Sequence, residues 1–192
     1  LKSLDHYTRY MKTAELYKRF ESYTHILIWQ DDAIILNSEV LKSADTTYSF
    51  VGASITKKFF SSDYKYVGNG GLSLRKPSDH LRALSKKINL KEPKWFTRVS
   101  LKNFIAFQIE NLAVKFGFSV INYNEDFFWC CLLKDEDYTV ASVSEADALF
   151  WEERLSKLSL EALTDLPFGL HAWVKFCSEE NKRYITSLLY ES

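Results

Sequence analysis

The sequence predicts one α/β domain over residues 1–192, with a mixed sheet flanked by helices. The chain has 192 residues, of which 46% are hydrophobic, enough to build a single buried core. Short apolar runs of β type alternate with stretches of helical periodicity, as in layered α/β proteins. No repeat, low-complexity tract or linker rich in Pro, Gly and Ser divides the chain.

The pattern of apolar residues predicts the elements in order. Side chains spaced by three and four predict helices over 5–22, over 101–116 with a cap at Gly117, in "EDFFWCCLL", in "SEADALFWEE" with Ser144 as N-cap, and in the closing "SEENKRYITSLLYE". Runs of β type predict strands over 26–29, 47–53, 71–75 and 118–121.

Composition and motif content remove several functional classes. Lys and Arg total 25, as do Asp and Glu, so no net positive charge attracts nucleic acid. The longest uncharged apolar run, Phe127 to Leu133, is far shorter than a membrane span. Three cysteines without CxxC spacing indicate reduced, packed thiols. Phosphate-loop, GxSxG, GxGxxG and HExxH motifs are absent from the sequence.

Two acids, Asp31 and Asp32, directly follow the predicted strand Ile26 to Trp29. Ligands of open α/β sheets bind outside the carboxyl ends of strands, and adjacent carboxylates can bind a hard divalent cation. The alternative is that one acid caps the next segment while the other is solvated. Spacing alone leaves both interpretations open.

The run Gly68-Asn69-Gly70-Gly71 holds three of the six glycines. Glycines permit positive backbone angles and a close approach of ligand to main chain, whereas Asn-Gly is also a strong hairpin signal. Arg75, four residues later, offers a planar donor fork to a phosphate or carboxylate, or else an ion pair.

Two further groups of residues are candidates for catalysis or ligand binding. Glu125 and Asp126 precede aromatic residues, so apolar walls could make a carboxylate there a general base, although acids also stabilise a helix start. His171 lies in a short apolar segment between Gly169 and Trp173, where a hydrogen-bonded core histidine and a ligand are both possible.

Six segments, taken in order, resemble a family of bacterial and fungal glycosyltransferases otherwise described only as a domain of unknown function. They are "HILIWQDDAIIL", "FVGAS", "YVGNGGLSLR", "NEDFFW", "ADALFWEE" and "PFGLHAW", and they cover most of residues 7–175. The chain departs from the pattern at Ser54, where the family usually has Pro, and in the charged stretch 86–100. The family's N-terminal portion is missing, so we expect a fragment of a longer chain that lacks its N-terminal strands.

The resemblance implies a GT-A-like fold and a metal-dependent glycosyltransferase of the hexosyltransferase type. It would move a sugar from a nucleotide-sugar donor to a glycan or glycolipid acceptor, with inversion, in bacterial surface polysaccharide synthesis. We expect a cytoplasmic protein, with association with the inner face of the membrane left open. Other segments of the same polypeptide are further expected partners, and nucleic acid is not. The alternatives are retaining transfer and a non-catalytic carbohydrate-binding or interaction module with a degenerate GT-A fold.

The resemblance also implies roles for individual residues. Mn²⁺ or Mg²⁺ would be held by Asp32 and His171, with Asp31 as an extra acid. Asp126 would be the catalytic base, and Glu125 would bind the acceptor hydroxyl. The expected substrate contacts are Gln30, Asn69, Gly70, Gly71, Arg75 and Trp173.

Overall fold

A computed structural model of the chain describes residues 3–42, 47–59, 62–86, 112, 124–133, 136–157 and 166–191. Backbone contacts divide the chain into two compact units. The first unit contains Leu1–Ile26, Tyr48–Phe50 and Arg75–Val140, and the second contains Leu27–Thr47, Val51–Leu74 and Ala141–Ser192.

The described residues form short helices and short strands. The α-helices are Leu4–Tyr10, Ala14–Lys18, Ser38–Lys42, Pro77–Ser85, Glu125–Phe127, Val143–Leu149, Trp173–Phe176 and Glu179–Glu191, with a π-helix over Phe128–Leu132 and a 3-10 helix over Glu153–Lys157. The strands are β1 (Ile26–Trp29), β2 (Ile34–Ile35), β3 (Phe50–Gly52), β4 (Ser54–Phe59), β5 (Ser62–Val67), β6 (Leu72–Arg75), β7 (Phe150–Trp151) and β8 (Gly169–Leu170).

Three small sheets combine with these helices into a mixed α/β fold. The strand orders are β1-β6-β3, β2-β8-β7 and β4-β5. In the second sheet β8 pairs antiparallel with β2 and parallel with β7, so this sheet is mixed. The fold class predicted from the sequence is therefore confirmed at this coarser level.

The glycine-rich turn is not a hairpin turn, so that interpretation of the sequence was wrong. Strand β5, before the turn, pairs antiparallel with β4, whereas β6, after the turn, lies in the β1-β6-β3 sheet. Residues 68–71 therefore carry the chain from one sheet to another, with Ala53 accepting hydrogen bonds from the N–H groups of Gly68 and Asn69.

The helix predicted over 5–22 is broken in the middle. Thr13 has an extended backbone, with φ of −102° and ψ of 150°, and its hydroxyl donates to the carbonyl of Tyr10 at 2.8 Å. A threonine hydroxyl that bonds the neighbouring main chain competes with helical hydrogen bonding. The result is two short helices that end and begin on either side of this residue.

The helix after Ala141 is capped two residues earlier than predicted. Ser142, not Ser144, accepts the N–H of Glu145, and the carboxylate of Glu145 accepts the N–H of Ser142 at 2.8 Å. This reciprocal capping box satisfies two free donors at the helix start. The helix then ends at Leu149, where β7 begins.

Two of the predicted elements fall on parts of the chain that the structure does not describe. The helix predicted over 101–116, apart from helical Leu112, and the strand predicted over 118–121 lie outside the described residues. Cys130 and Cys177 are free thiols, as predicted for them. Within the described ranges, no helix combines the length and apolar character that crossing a bilayer requires.

Candidate functional site

Three distant chain segments meet at one edge of the mixed sheet in the second unit. Asp32 lies two residues before β2, Glu152 directly follows β7, and His171 directly follows β8. Because β2 runs antiparallel to β8 and β7 runs parallel to it, the start of β2 and the ends of β7 and β8 share that edge. The ladder continues one step further, since the N–H of His171 donates to the carbonyl of Trp151 at 2.9 Å.

The imidazole of His171 lies between two carboxylates. Its Nε2 is 3.2 Å from Oδ1 of Asp32 and 3.4 Å from Oε1 of Gln30. On the other side of the ring, Nδ1 is 3.4 Å from Oε1 of Glu152. The His171 side chain is 11% exposed and that of Asp32 is 51% exposed, so the Nε2 side of the ring opens toward solvent.

Asn69 fixes the hydrogen-bonding state of the ring. Its Oδ1 accepts the N–H groups of Gly71 at 2.8 Å and Leu72 at 3.1 Å, so its amide nitrogen must face the other way. That nitrogen donates to Oε2 of Glu152 and lies 2.8 Å from Nδ1 of His171. Because an amide nitrogen only donates, Nδ1 is the acceptor, and the ring proton lies on Nε2, facing Asp32.

Gly71 makes room for this arrangement. A Cβ atom added to it would lie 2.1 Å from Nε2 of His171 and 2.4 Å from Oε1 of Gln30. Its carbonyl also accepts the N–H of Gln30 at 2.8 Å, which ties the acidic loop after β1 to the glycine turn. Gly70, buried in the same turn, accepts the hydroxyl of Ser73 through its carbonyl. Gly71 thus shapes the site by its lack of a side chain.

The chain turns sharply after the histidine. Ala172 has φ of 48° and ψ of 33°, a left-handed conformation that costs a residue with a Cβ about 1–2 kcal/mol. The surrounding structure must over-determine such a conformation, and strained backbone of this kind clusters at functional sites. The strained residue here directly follows the buried imidazole.

The Nε2 side of His171 fits the first ligands of a hard divalent cation. Two ligands in adjacent octahedral positions, each about 2.1 Å from Mg²⁺, lie about 3 Å apart. The separations from Nε2 to Asp32 and to Gln30 are of this size. Among the residues that the structure describes, however, no group of three or more His, Cys, Asp or Glu side chains is arranged to hold a metal ion. The fitting set is thus one imidazole, one carboxylate and one amide oxygen.

Arg75 and Glu125 form a buried ion pair in the first unit. Nη2 of Arg75 donates to Oε1 of Glu125 at 3.0 Å, and Nη1 lies 2.9 Å from Oε2 in a contact without hydrogen-bond geometry. Nη1 also donates to the Tyr17 hydroxyl at 3.2 Å, and the guanidinium lies 4.8 Å from the Phe50 ring centroid. Burial is the largest single effect and lowers the pKa of Arg75, but the Glu125 carboxylate together with Tyr17 and Tyr7 outweighs it, so the pKa is raised.

A buried histidine packs beside this pair in the same unit. The ring of His80 stacks on that of Tyr17 with centroids 4.2 Å apart. Its Nδ1 donates to the carbonyl of Lys76 at 2.9 Å, so Nε2 accepts from the Tyr138 hydroxyl at 2.7 Å. Burial, with a smaller contribution from the Arg75 charge, lowers the pKa of His80 well below its usual range. His80 is therefore neutral and serves the core.

The other residues nominated from the sequence have simpler surroundings. Asp126, half-buried in the first unit, accepts the N–H of Phe127 at 2.7 Å. Asp31 is exposed beside Asp32 in the second unit. Trp173 packs against the apolar cluster that contains Trp151 and Leu170.

Glu152 is the one member of the site that was not nominated from the sequence. The run "SEADALFWEE" was assigned to a helix throughout, which conceals the strand Phe150–Trp151 that ends just before this residue. An acid directly after a two-residue strand repeats the pattern that drew attention to Asp31 and Asp32. Glu152 could therefore have been found from its position after a strand, but the helix was predicted to extend past Leu149, where it ends.

The comparisons with known proteins place the chain in a family. A family model described as a protein of unknown function, DUF5672, matches residues 1–171, from the start of the chain to His171 of the site. No curated protein and no solved structure matches the chain significantly. Since the matched region spans most of the 192 residues, the chain belongs to the DUF5672 family of proteins of unknown function.

Proposed function

We propose that this protein is a metal-dependent, GT-A-like glycosyltransferase that moves a sugar from a nucleotide-sugar donor to a glycan or glycolipid acceptor. One observation carries the proposal: Asp32 and His171, nominated from motifs near opposite ends of the chain, lie 3.2 Å apart at one sheet edge. A strand-end carboxylate paired with a late histidine is the arrangement that the glycosyltransferase resemblance implies. The proposal includes inverting transfer in bacterial surface polysaccharide synthesis at the cytoplasmic side.

Three side-chain atoms would hold the cation. They are Nε2 of His171, Oδ1 of Asp32 and Oε1 of Gln30, with exposed Asp31 adjacent to them. When bound, Mn²⁺ or Mg²⁺ supplies positive charge that offsets the charge of the leaving diphosphate. Carboxylate oxygen suits both ions, and neutral imidazole is a common ligand of transition metals, so the set with His171 favours Mn²⁺ over Mg²⁺.

The resemblance assigns the proton transfer to Asp126. Its carboxylate would take the proton of the acceptor hydroxyl while that oxygen forms a bond to the anomeric carbon and the bond from this carbon to the diphosphate oxygen breaks. The Asp126 side chain is half-buried, so part of it is accessible to a substrate. An ionised carboxylate is a hydrogen-bond acceptor only and can therefore take up a proton. Glu125 is bonded to Arg75 instead, which makes it a weaker choice for binding the acceptor.

Calorimetry and a transfer assay test this function together. We expect a nucleoside diphosphate to bind only in the presence of Mn²⁺, and Asp32→Asn to abolish this Mn²⁺-dependent binding. Asp126→Asn should retain binding but lower the transfer rate by about 10²–10⁴-fold, the range that general base catalysis contributes. Glu153→Gln, which removes one charge from an acid whose Oε2 accepts the N–H of Thr56, is the matched control.

Two results would count against the proposal. Full transfer activity in Asp126→Asn would remove this residue as the base. Metal-independent binding of glycans, without nucleotide binding, would instead favour the carbohydrate-binding module. The anomeric configuration of the product separates inverting from retaining transfer.

A further inference from the structure

We propose that Glu152 is a positioning residue that holds the His171 imidazole toward Asp32. This inference rests on the proposed function, in which His171 is a cation ligand through Nε2. Glu152 touches neither Asp32 nor Gln30 in the contacts described above, and it acts on the ring from the opposite side, at Nδ1. Its side chain is 12% exposed, so water competes little with these contacts.

The carboxylate of Glu152 reaches the ring in two ways. Oε2 accepts the amide N–H of Asn69, whose second N–H points to Nδ1 of His171. Oε1 lies 3.4 Å from Nδ1, which has no proton to give it in this tautomer, so the Asn69 bridge is the contact that holds the ring here. Asn69 cannot turn away, because its own oxygen accepts two backbone N–H groups. The histidine ring is therefore fixed by a side chain that is itself fixed at both ends.

The same carboxylate also fits the liganded state. A neutral imidazole that binds a cation through Nε2 must carry its proton on Nδ1, and ligating histidines usually donate that N–H to a carboxylate or carbonyl. Oε1 of Glu152 is the acceptor on the Nδ1 side. With the proton on Nδ1, the Asn69 N–H no longer bonds the ring, because an amide nitrogen only donates, and Asn69 keeps its bond to Oε2 of Glu152. Glu152 thus holds the ring through Asn69 without a cation and directly with one.

The adjacent acid provides a matched control. Glu153 has the same chemistry and the next position in the chain, but its Oε2 accepts the backbone N–H of Thr56 on β4 at 2.7 Å. A glutamine at 153 keeps an oxygen for that bond. Glu153→Gln therefore removes one negative charge next to the site without touching the contacts of His171.

The experiment compares the 192-residue wild-type chain with Glu152→Ala, Glu152→Gln and Glu153→Gln. With ¹⁵N-labelled histidine, NMR without metal should show the His171 proton on Nε2 in the wild type, assigned by comparison with His171→Gln. In Glu152→Ala we expect the ring signals to shift toward an average of both tautomers. Mn²⁺ affinity measured by calorimetry should fall about 10–100-fold, as for other residues that orient a metal-bound histidine.

The two milder variants complete the test. Glu152→Gln keeps an acceptor for Asn69 but offers no charge to Nδ1, so we expect wild-type ring signals with a smaller loss of Mn²⁺ affinity. Glu153→Gln should match the wild type in both measurements. Circular dichroism checks folding, and if Glu152→Ala does not fold, an unchanged Mn²⁺ affinity in Glu152→Gln overturns the proposal.

The readouts separate this proposal from the proposed function. Unchanged ring signals in a folded Glu152→Ala overturn the positioning role, whatever the enzyme does. A wild-type chain that binds no Mn²⁺ overturns the metal-dependent function, while the metal-free ring signals still decide whether Glu152 positions His171.

Discussion

At the scale of single residues, Gly71 decides whether the imidazole of His171 can occupy its place. The backbone of Gly71 is held by hydrogen bonds to Asn69 and Gln30, so it cannot retreat from an added side chain. His171 is equally confined, because the amide nitrogen of Asn69, which also bonds Glu152, donates to its Nδ1. A methyl group at position 71 would therefore push against two positioned groups.

We expect Gly71→Ala to disrupt the Asp32–His171 pair. The added Cβ would approach Nε2 of His171 within 2.1 Å, far inside van der Waals contact, so the ring must leave its position. Overpacking of this kind costs about 1–3 kcal/mol of stability. Measurement of Mn²⁺ binding and of urea unfolding should show binding lost while the protein still folds.

Gly68→Ala is the control for this change. Its added methyl meets the ring of Tyr66 and not the imidazole. It should reduce stability without abolishing Mn²⁺ binding. Equal Mn²⁺ affinities in Gly71→Ala and the wild type would show that His171 and the glycine turn are independent.

Most residues of this site could be predicted from the sequence, but their contacts with one another could not. Asp32 and His171 stand out as an acid after a strand and a histidine in an apolar segment. Their 3.2 Å contact depends on β8 lying between β2 and β7, which no local pattern specifies. Glu152 escaped because the two-residue strand before it was too short to show alternation.

At the scale of elements, the Arg75–Glu125 pair joins the end of β6 to the short helix Glu125–Phe127 within the first unit. Both side chains are buried, with exposures of 0% and 4%. Buried charges are tolerated only when they are paired and hydrogen-bonded. The pair thus connects the two elements, and removal of either side chain alone should lower the stability of the folded protein.

We expect Arg75→Met and Glu125→Leu each to destabilise the protein by about 3–5 kcal/mol, because each leaves one buried charge uncompensated. The double variant should lose much less than the sum, since no unpaired charge remains. Urea unfolding of the four proteins gives the coupling free energy. Additive losses would mean that the two side chains act separately.

The success of element prediction followed the strength of the local pattern. The strand over 26–29 was predicted with its observed bounds, because four apolar residues end abruptly at polar ones. The helix over 5–22 failed at Thr13, where a side-chain hydrogen bond overrides the apolar stripe. The hairpin predicted at 68–71 was wrong because β5 pairs with β4 and not with β6. The residues of the turn alone do not indicate which strand β5 pairs with.

At the scale of the whole molecule, stability should depend on pH through His80. The unfolded chain binds a proton at His80 near pH 6.5, whereas the buried ring in the folded protein does not, because its pKa is lowered. The unfolded state therefore binds more protons as the pH falls below about 6.5. Folding stability from this residue is fully present above that pH and is lost below it.

We expect the free energy of unfolding to fall by at most about 1.4 kcal/mol per pH unit between pH 6.5 and 5.5 from this residue. His80→Gln should be less stable at pH 7, since it loses the stacking on Tyr17, but flatter across this range. Urea unfolding at pH 7.0, 6.5, 6.0 and 5.5 measures both slopes. An identical slope in the variant would assign the pH dependence to other groups.

The β2-β8-β7 sheet has a consequence for the order in which the candidate site assembles. More than a hundred residues separate β2 from β7 along the chain. The central strand, β8, is the last of the described strands. Closing such long loops is slow, and contacts of high sequence separation form late in folding. A newly made chain therefore exposes Asp32 long before it has His171 to pair with. Under the proposed function, the site would not bind a cation until β8 had inserted between its neighbours, so Mn²⁺ binding would report completed folding.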